Sequence, residues 1–440
     1  MGDYLALAML PALLLALFLG FPVAFSMMGV ALIFGIATFG EPVIFQFVQK
    51  VDAMATAFEL AAVPLFIFMG AMMERSGIAE QLFEAIHLWT RRLPGGLAVG
   101  TVLMCVVFAA SSGVIGATET VVGMLAIPVM LKYAYDKGLI SGTICAGGSL
   151  GTIIPPSVVV VVLGPVADVS VGTLFVGMVF PGFIMAGLYL VYILGWCAIR
   201  PDAGPSLPRS DDEPSFWEKV RISAIALWPP VAMIIAVLGS IMFGLAAPTE
   251  AAGLGALGSL LLAISYGQFS WPVFNQAVLK TLRVTCMIML ILLGGSMFAG
   301  VFIASGGVML TQQLIEAANL GPALTLTLFL AVCFIAGFFL DWISILLIFI
   351  PVFVPIVVSM GYDPAWFCIL FLIIIQTSYL TPPMAPAIFY LRGIAPPEIT
   401  LRHMFAGVVP FIVLQFICLG IVAAFPALVL WLPEQLLGFN

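Results

Sequence analysis

The chain has 440 residues and a formal net charge of −7, and 63% of its residues are apolar while only 8% are charged. About a quarter of the residues in an ordinary soluble domain are charged, so this composition excludes a soluble globular protein and predicts a chain that is largely embedded in lipid. The seven cysteines lie in apolar segments without paired spacing, which favours small core residues over disulfides.

The predicted membrane segments are long apolar runs that recur along the whole chain. In chain order they are 4–20, 22–38, 60–74, 97–110, 114–131, 141–164, 172–199, 222–243, 250–266, 284–304, 322–340, 342–360, 365–391 and 405–431. No basic residue precedes the first run, so we interpret it as a retained helix and not as a signal peptide. Residues 41–58 and 78–92 are mixed in polarity and predict amphipathic helices at the membrane interface.

A hydrophilic stretch divides the chain into two predicted halves. Residues 200–221 are rich in proline and charge, and they predict a cytoplasmic linker between residues 1–199 and residues 222–440. Each half then contains one hairpin, predicted at 97–131 and 322–360, and one proline-broken helix.

The distribution of basic residues predicts the orientation in the membrane. If both hairpins enter and leave on the same side, about ten full crossings remain, and Lys50 alone lies opposite the other basic residues. The positive-inside rule makes the basic face cytoplasmic and places both termini outside. Charge cannot decide whether the hairpins are re-entrant or cross fully, although the short first limb favours re-entry. No Lys or Arg is predicted at the centre of a span.

Two similar segments interrupt apolar sequence with a pair of prolines. One break lies at Pro155-Pro156 within the predicted broken helix 141–164, and the other lies at Pro382-Pro383 within 365–391. Proline removes a backbone donor and clashes with the preceding turn, so each pair ends one helical segment before another starts. Irregular backbone at membrane depth persists only where it is buried in protein or lines a cavity.

Aligning the two proline pairs brings their surroundings into register. Ser76-Gly77 matches Ser305-Gly306, and Ile127-Pro128 matches Ile350-Pro351 within a few residues. The predicted number of crossings between the two breaks is odd, so the two repeats are expected to have opposite orientations. An inverted repeat with a broken helix in each half is typical of secondary transporters that bind substrate near the membrane midplane.

The hairpin tips and the breaks are rich in small and hydroxyl residues. The first tip contains Ser111, Ser112 and Gly113, followed by Thr118 and Glu119, and its expected partner is the break with Ser149, Thr152 and Pro155. The second tip contains Gly337 and Asp341, and its expected partner is the break with Thr377, Ser378 and Thr381. Free carbonyls and hydroxyls suit a small cation, and half-helix N-termini favour an anion. The alternative is that the small residues serve only close helix packing.

Carboxylates within apolar segments are functional candidates by default. Glu119 and Asp341 qualify, with a structural hydrogen bond as the alternative for each. Glu250 follows Pro248-Thr249 and is more simply a first-turn acid at a helix N-terminus. Because the sequence has no nucleophile–base pair, metal motif, phosphate-binding loop or ATPase-sized soluble domain, we expect no enzyme, no cofactor and no nucleic-acid partner, and energy from an ion gradient.

Four motifs together resemble one transporter family. They are Ala109-Ala110-Ser111-Ser112-Gly113, Gly151-Thr152-Ile153-Ile154-Pro155-Pro156-Ser157, Pro248-Thr249-Glu250-Ala251 and Leu380-Thr381-Pro382-Pro383. Their order along the whole chain is similar to that of the large membrane subunit of tripartite ATP-independent periplasmic (TRAP) transporters. The tail Tyr379-Leu380-Thr381-Pro382-Pro383 resembles the subgroup often labelled mannitol/chloroaromatic.

The resemblance implies an elevator-type, sodium-driven importer of small organic acids in a bacterial or archaeal inner membrane. It also implies two partners, a small four-helix membrane subunit and a periplasmic solute-binding protein. A monocarboxylate or 2-oxo acid is the expected substrate. A stand-alone ion-coupled carrier of a related fold is the alternative, and a scaffold protein is a further one.

The resemblance also implies roles for individual positions. The cation-binding positions are Ser111, Ser112, Gly113, Ser149, Thr152 and Pro155 at the first break, and Gly337, Ser378, Thr381 and Met384 at the second. The substrate-binding positions are Thr118, Glu119, Ser157, Asp341, Thr377, Pro382 and Pro383. This chain departs from many relatives after the first tip, where Val114-Ile115-Gly116-Ala117 takes the place of a serine-rich stretch.

Overall fold

The computed structural model describes residues 3–112, 116–207 and 214–438, and the regular structure in these ranges is entirely helical. The helices of the first half are α1 (Asp3–Phe18), α2 (Val23–Phe39), α3 (Pro42–Thr56), α4 (Ala62–Glu74), α5 (Ile78–Thr90), α6 (Gly96–Ser112), α7 (Ala117–Lys132), α8 (Lys137–Ser149), α9 (Val158–Ala167), α10 (Val171–Gly177) and α11 (Val179–Ile199). Those of the second half are α12 (Phe216–Met242), α13 (Pro248–Ser265), α14 (Trp271–Ala304), α15 (Gly307–Ala317), α16 (Pro322–Ala336), α17 (Trp342–Ser359), α18 (Pro364–Leu380), α19 (Pro386–Ile394), α20 (Leu401–Ala424) and α21 (Ala427–Leu437).

The prediction of an all-α polytopic membrane protein is confirmed. Six described helices are long and apolar enough to cross a bilayer, and the bent pair of α3 and α4, with 55° between the axes, raises this number to seven. Several other apolar helices, among them α6, α16 and α18, have 10–17 residues. Such lengths are expected where breaks and hairpin tips interrupt a span. The total of about ten crossings and the opposite orientation of the halves stay predictions.

The structure has helix pairs at the residues of the two predicted hairpins and helix ends at the two proline pairs. The first hairpin is α6 with α7, and the second is α16 with α17. A 3₁₀ turn at Leu150–Thr152 and irregular backbone at 153–157 separate α8 from α9, and irregular backbone at 381–385 separates α18 from α19. The peptide bonds Pro155-Pro156 and Pro382-Pro383 are both cis.

The same order of elements occurs in both halves. A helix (α4 or α14) leads to a short amphipathic helix (α5 or α15), then to a hairpin, a broken helix and a long helix. Gly77 before α5 has φ 71° and Gly306 before α15 has φ 80°. Left-handed backbone of this kind favours glycine. The sequence match of Ser76-Gly77 with Ser305-Gly306 therefore corresponds to the same turn in the structure.

The predicted linker 200–221 is partly folded onto the rest of the protein. The Gly95 N–H donates to Gly204 O, and the Asp136 N–H donates to Ala203 O, each at 2.9 Å. At the other end α12 begins at Phe216, because the side chain of Ser215 accepts from the Glu218 N–H and that of Glu218 accepts from the Ser215 N–H. This pair of hydrogen bonds starts a helix within charged sequence. Hydropathy alone therefore placed the start of α12 too late.

The helices named here pack in two groups. In one group α14 lies against α2 and α4, and α4 lies against α13. In the other group α8 and α20 pack closely, with α6 and α18 beside them. The backbones of α8 and α20 cross very closely at three glycines. A Cβ atom on Gly142 would lie 2.1 Å from Gly407 O, and one on Gly407 would lie 2.1 Å from Gly138 O. Glycines permit such contact between helix backbones in membranes.

Replacing Gly407 should separate α8 from α20. We expect Gly407→Ala to lower the free energy of unfolding by about 1–3 kcal/mol, because the added methyl group meets a backbone carbonyl that cannot rotate away. Thermal unfolding of the detergent-purified protein measures the effect. Gly420→Ala on the same helix is the control, since a Cβ atom there has nothing within 4 Å. Equal melting temperatures for the two variants would contradict this account of the crossing.

Candidate functional site

The first break is enclosed by protein. Residues 149–157, from the end of α8 to the start of α9, are all buried. Gly151 lies against Ala109 of α6, whose Cβ atom would be 3.8 Å from a Cβ atom on Gly151. The expected pairing of the first hairpin with the first break is therefore present in the structure.

The second break also packs against a hairpin tip, that of the second hairpin, but its exposure differs. A Cβ atom on Gly337, at the end of α16, would lie 2.3 Å from Ser378 Cβ, so the second hairpin tip touches the end of α18. Pro382, Pro383 and Met384 are exposed, however. Ala385, with φ 32°, closes the irregular segment in a conformation that non-glycine residues rarely adopt. The two breaks are thus alike in construction but unequal in burial.

The hydroxyl groups at both breaks donate to carbonyl oxygens of the preceding helical turn. At the first break Ser111 donates to Phe108 O at 2.9 Å, and Ser149 donates to Ala146 O at 2.8 Å. The remaining bonds run from Thr152 to Ser149 O, from Thr377 to Ile374 O, from Ser378 to Ile375 O and from Thr381 to Thr377 O. A hydroxyl that gives its proton to the backbone still has oxygen lone pairs for another ligand. This chemistry suits a small hard cation.

The two candidate carboxylates start the second limbs of the two hairpins. The Gly116 N–H donates to Glu119 Oε2 at 2.7 Å at the start of α7. At the start of α17 the Ile343 N–H donates to Asp341 Oδ2 at 3.1 Å, and the Ser344 hydroxyl also donates to Asp341. Both therefore compensate unpaired amides at a helix N-terminus. Glu250 does the same at α13, accepting from the Ala247 N–H at 2.9 Å, as predicted.

Glu119 retains one oxygen for a further partner. Its side chain is fully buried and lies against Gly148, where a Cβ atom would be 2.3 Å from Glu119 Cδ. Glu119 Oε1 has no hydrogen-bond partner among the described residues, and neither has the buried Ser157 Oγ. Thr118 is buried beside Glu119. The predicted positions Gly113 and the side chain of Ser112 lie outside the described part of the chain.

A cavity of about 720 Å³ brings the two halves of the site together. Gly116 lines it from the first hairpin, and Gly337 and Asp341 line it from the second. The first residues of α9 and of α19, Val158 and Pro386, also border it. Its volume is typical of a site for a small molecule. Both helix N-termini behind the breaks therefore face one common space.

A basic residue borders the cavity, although the sequence predicts no Lys or Arg at the centre of a span. Lys280 lines the cavity and forms an ion pair with Glu74. Sequence reasoning missed this because α14 begins at Trp271, well before the apolar run predicted at 284–304. The first turns of α14 are too polar to be recognised as part of an apolar run, but they belong to the same helix as residues 284–304.

Sequence reasoning also missed a buried polar cluster beside the first break. Gln376 donates to Ser149 Oγ at 3.1 Å, and Gln415 donates to the Tyr189 hydroxyl at 2.9 Å. All four side chains are fully buried. The sequence did offer a signal, since Gln376 and Gln415 each carry a side-chain amide within a predicted apolar run. Uncharged polar side chains in membrane helices usually form hydrogen bonds to other helices.

Comparison with known proteins assigns the chain to a family. Residues 10–428 match the family described as "Tripartite ATP-independent periplasmic transporter, DctM component". The chain belongs to this family, as the resemblance in sequence implied, and it is therefore the large membrane subunit of a TRAP transporter. TRAP large subunits are permeases and not enzymes, so the prediction that this chain is no enzyme is confirmed.

Several TRAP large permease proteins match most of the chain. It is 32% identical over 382 residues to the C4-dicarboxylate TRAP transporter large permease protein DctM of Pseudomonas aeruginosa, covering 86% of this chain and 87% of the relative. It is 28% identical over 425 residues to the sialic acid TRAP transporter large permease protein SiaM of Vibrio cholerae, covering 96% and 97%. The Ruegeria pomeroyi ectoine/5-hydroxyectoine TRAP transporter large permease protein UehC is 29% identical over 430 residues, covering 96% and 97%.

Two solved transporters share the fold at low sequence identity. The YdaH transporter of Alcanivorax borkumensis aligns with a TM-score of 0.63 and 15% identity, covering 88% of this chain and 89% of that one. The antimetabolite efflux pump MtrF of Neisseria gonorrhoeae aligns with a TM-score of 0.57 and 15% identity, covering 89% and 85%. At this identity the likeness concerns the fold alone.

The contact between Gly337 and Ser378 generates a prediction for the TRAP subunit. If the second break binds sodium, as the resemblance implies, Gly337→Ala should weaken binding of radioactive sodium to the purified protein about tenfold, because the new methyl group pushes the hairpin tip away from the break. Gly321→Ala at the start of α16 is the control, with nothing within 4 Å of its Cβ atom. Unchanged sodium binding by a correctly folded Gly337→Ala protein would contradict this role.

Proposed function

We propose that this chain is the sodium-coupled transport subunit of an importer for a small organic acid. A periplasmic binding protein would deliver the substrate, and a small four-helix membrane subunit would complete the transporter in the inner membrane. The observation that carries the proposal is the pair of proline-broken helices, each packed against a hairpin tip and each bordering the same cavity.

The breaks supply the oxygen atoms that sodium requires. Carbonyls at a helix end have no intrahelical partner, and the hydroxyls beside them keep free lone pairs. We assign one sodium site to Ser111, Ser112, Gly113, Ser149, Thr152 and Pro155. We assign the other to Gly337, Ser378, Thr381 and Met384.

The cavity suits an anion that travels together with cations. The N-terminal ends of α9 and α19 border it, and helix N-termini favour negative charge. Glu74 and Asp341 also line the cavity, against one basic side chain, Lys280, among its described residues. Bound sodium would offset this excess of negative charge. The proposed substrate-contacting positions are Thr118, Glu119, Ser157, Asp341, Thr377, Pro382 and Pro383.

The relatives support a small polar solute as the class of substrate. Relatives are named for C4-dicarboxylates, for sialic acid, for isethionate and for ectoine, which indicates that one architecture serves different small polar solutes. We propose a monocarboxylate or 2-oxo acid here. We also propose the orientation predicted from charge, with both termini periplasmic, and an elevator movement of the hairpins and breaks against α2, α4, α13 and α14.

Transport by the reconstituted protein tests the proposal. The chain and its small membrane subunit are placed in liposomes, and uptake of labelled pyruvate, other 2-oxo acids and C4-dicarboxylates is measured with and without the binding protein. Uptake should require both an inward sodium gradient and the binding protein. Sodium-driven uptake without the binding protein would support the stand-alone carrier instead, and uptake driven equally by potassium would refute sodium coupling.

The Thr381 hydroxyl provides a sharper test within the same assay. We expect Thr381→Ala to raise the sodium concentration for half-maximal uptake about tenfold, because a lost ligand to a charged ion costs about 1.5 kcal/mol. Thr327→Ala is the control, because the Thr327 hydroxyl donates to Ala323 O at 2.8 Å as Thr381 does to Thr377 O, but on the exposed side of α16. Equal sodium dependence of both variants would remove Thr381 from the site.

A further inference from the structure

Gln376 forms a side-chain hydrogen bond between the two broken helices. It lies on α18, immediately before Thr377 and Ser378 at the second break. Its amide donates across to the hydroxyl of Ser149, the last residue of α8 at the first break, at 3.1 Å. Both side chains are fully buried, so water does not compete for this bond.

The Ser149 hydroxyl is oriented by its three neighbours. A serine hydroxyl has one proton and two acceptor lone pairs. Its proton goes to Ala146 O at 2.8 Å, and the Gln376 amide occupies one lone-pair side. Gln415 approaches the other side at 3.5 Å, but its shorter bond, at 2.9 Å, is to the Tyr189 hydroxyl. Of the two amides that donate to Ser149 Oγ, Gln376 therefore makes the shorter bond and has the larger influence on the orientation of the hydroxyl.

The effect of Gln376 extends to the irregular turn after α8. The Thr152 hydroxyl donates to the main-chain carbonyl oxygen of Ser149 at 2.8 Å. Because Gln376 holds the Ser149 side chain, it also restricts the main chain of Ser149, whose carbonyl accepts the hydrogen bond from the Thr152 hydroxyl. Two proposed cation ligands of the first break thus depend on a side chain that belongs to the second.

Gln376 also retains a buried acceptor that contributes nothing to stability. Its Oε1 atom has no hydrogen-bond partner among the described residues, and the same holds for Gln415 Oε1. An unsatisfied amide oxygen in a buried site costs about 1–3 kcal/mol. Methionine would fill a similar volume without that cost, so stability alone does not account for glutamine at this position.

We propose that Gln376 is a positioning residue that couples the two sodium sites. Sodium at one break orders the end of its helix, and the bond from Gln376 to Ser149 transmits that order to the other helix end. The protein then loses less conformational freedom when the second ion binds, which produces positive cooperativity. This inference rests on the proposed sodium sites and adds their interdependence.

Sodium-dependent thermal stabilisation tests the coupling without knowledge of the substrate. The full chain, purified with its small membrane subunit, is heated at increasing sodium chloride, with choline chloride keeping the ionic strength constant. For the wild type we expect a cooperative increase in melting temperature. For Gln376→Met we expect a midpoint raised about fivefold to tenfold and a Hill coefficient reduced to about 1. The melting temperature in choline chloride alone should change little.

Matched variants separate coupling from general damage. Gln313→Leu on α15, an exposed glutamine, should retain wild-type midpoint and cooperativity. Gln376→Asn, whose shorter amide does not reach Ser149, should reproduce the loss and replaces Gln376→Met if that variant does not fold. In a double-mutant cycle, adding Gln376→Met to the Ser149→Ala protein should change the sodium midpoint and the Hill coefficient little further.

The possible results distinguish this inference from the function on which it rests. Wild-type cooperativity in both Gln376 variants would overturn the coupling while leaving sodium transport intact. Additive effects of Gln376→Met and Ser149→Ala would overturn it as well, because the two residues would then act independently. Absence of any stabilisation of the wild type by sodium would instead refute the proposed sodium coupling itself.

Discussion

The constraint on which this structure depends is the absence of water around an interrupted helix in a membrane. Each break exposes amides and carbonyls that a continuous helix would pair internally, and hydrocarbon offers them no partner. In this chain a hairpin tip packs against each break, at Gly151 against Ala109 and at Gly337 against Ser378. Helix α20 also lies beside the first break, where Gln415 donates to Ser149 Oγ at 3.5 Å. The polar atoms that sodium and an anion would use are therefore the same atoms that the fold has to shelter.

The two halves satisfy this constraint with different residues. Glu119 reaches back to the amide of Gly116 from inside α7, whereas Asp341 precedes α17 and reaches forward to the amide of Ile343. Both carboxylates start the second limb of a hairpin, so their roles correspond although their positions do not align. The exposure of the breaks differs in the same way, because Pro156 is buried and Pro383 is exposed. A repeated architecture thus accommodates unequal sites.

Much of the fold could be predicted from local chemistry. Proline pairs end helices wherever they occur, so the breaks at Pro155-Pro156 and Pro382-Pro383 needed no knowledge of distant residues. The apolar runs predicted both hairpins, and the match of Ser76-Gly77 with Ser305-Gly306 predicted corresponding positions in the two halves. Prediction failed where polar residues extend an apolar helix. Lys280 on α14 and the start of α12 at Phe216 were missed for that reason.

By itself the sequence determined the membrane class, the order of helices, the two breaks and the family, because each depends on composition or on neighbouring residues. Only the tertiary structure decided which side chains meet. It brought Gln376 to Ser149, paired Lys280 with Glu74, and placed both hairpin tips on one cavity. These contacts join residues that are far apart along the chain. The packing of the helices determines them, and no local pattern of apolar and polar residues encodes that packing.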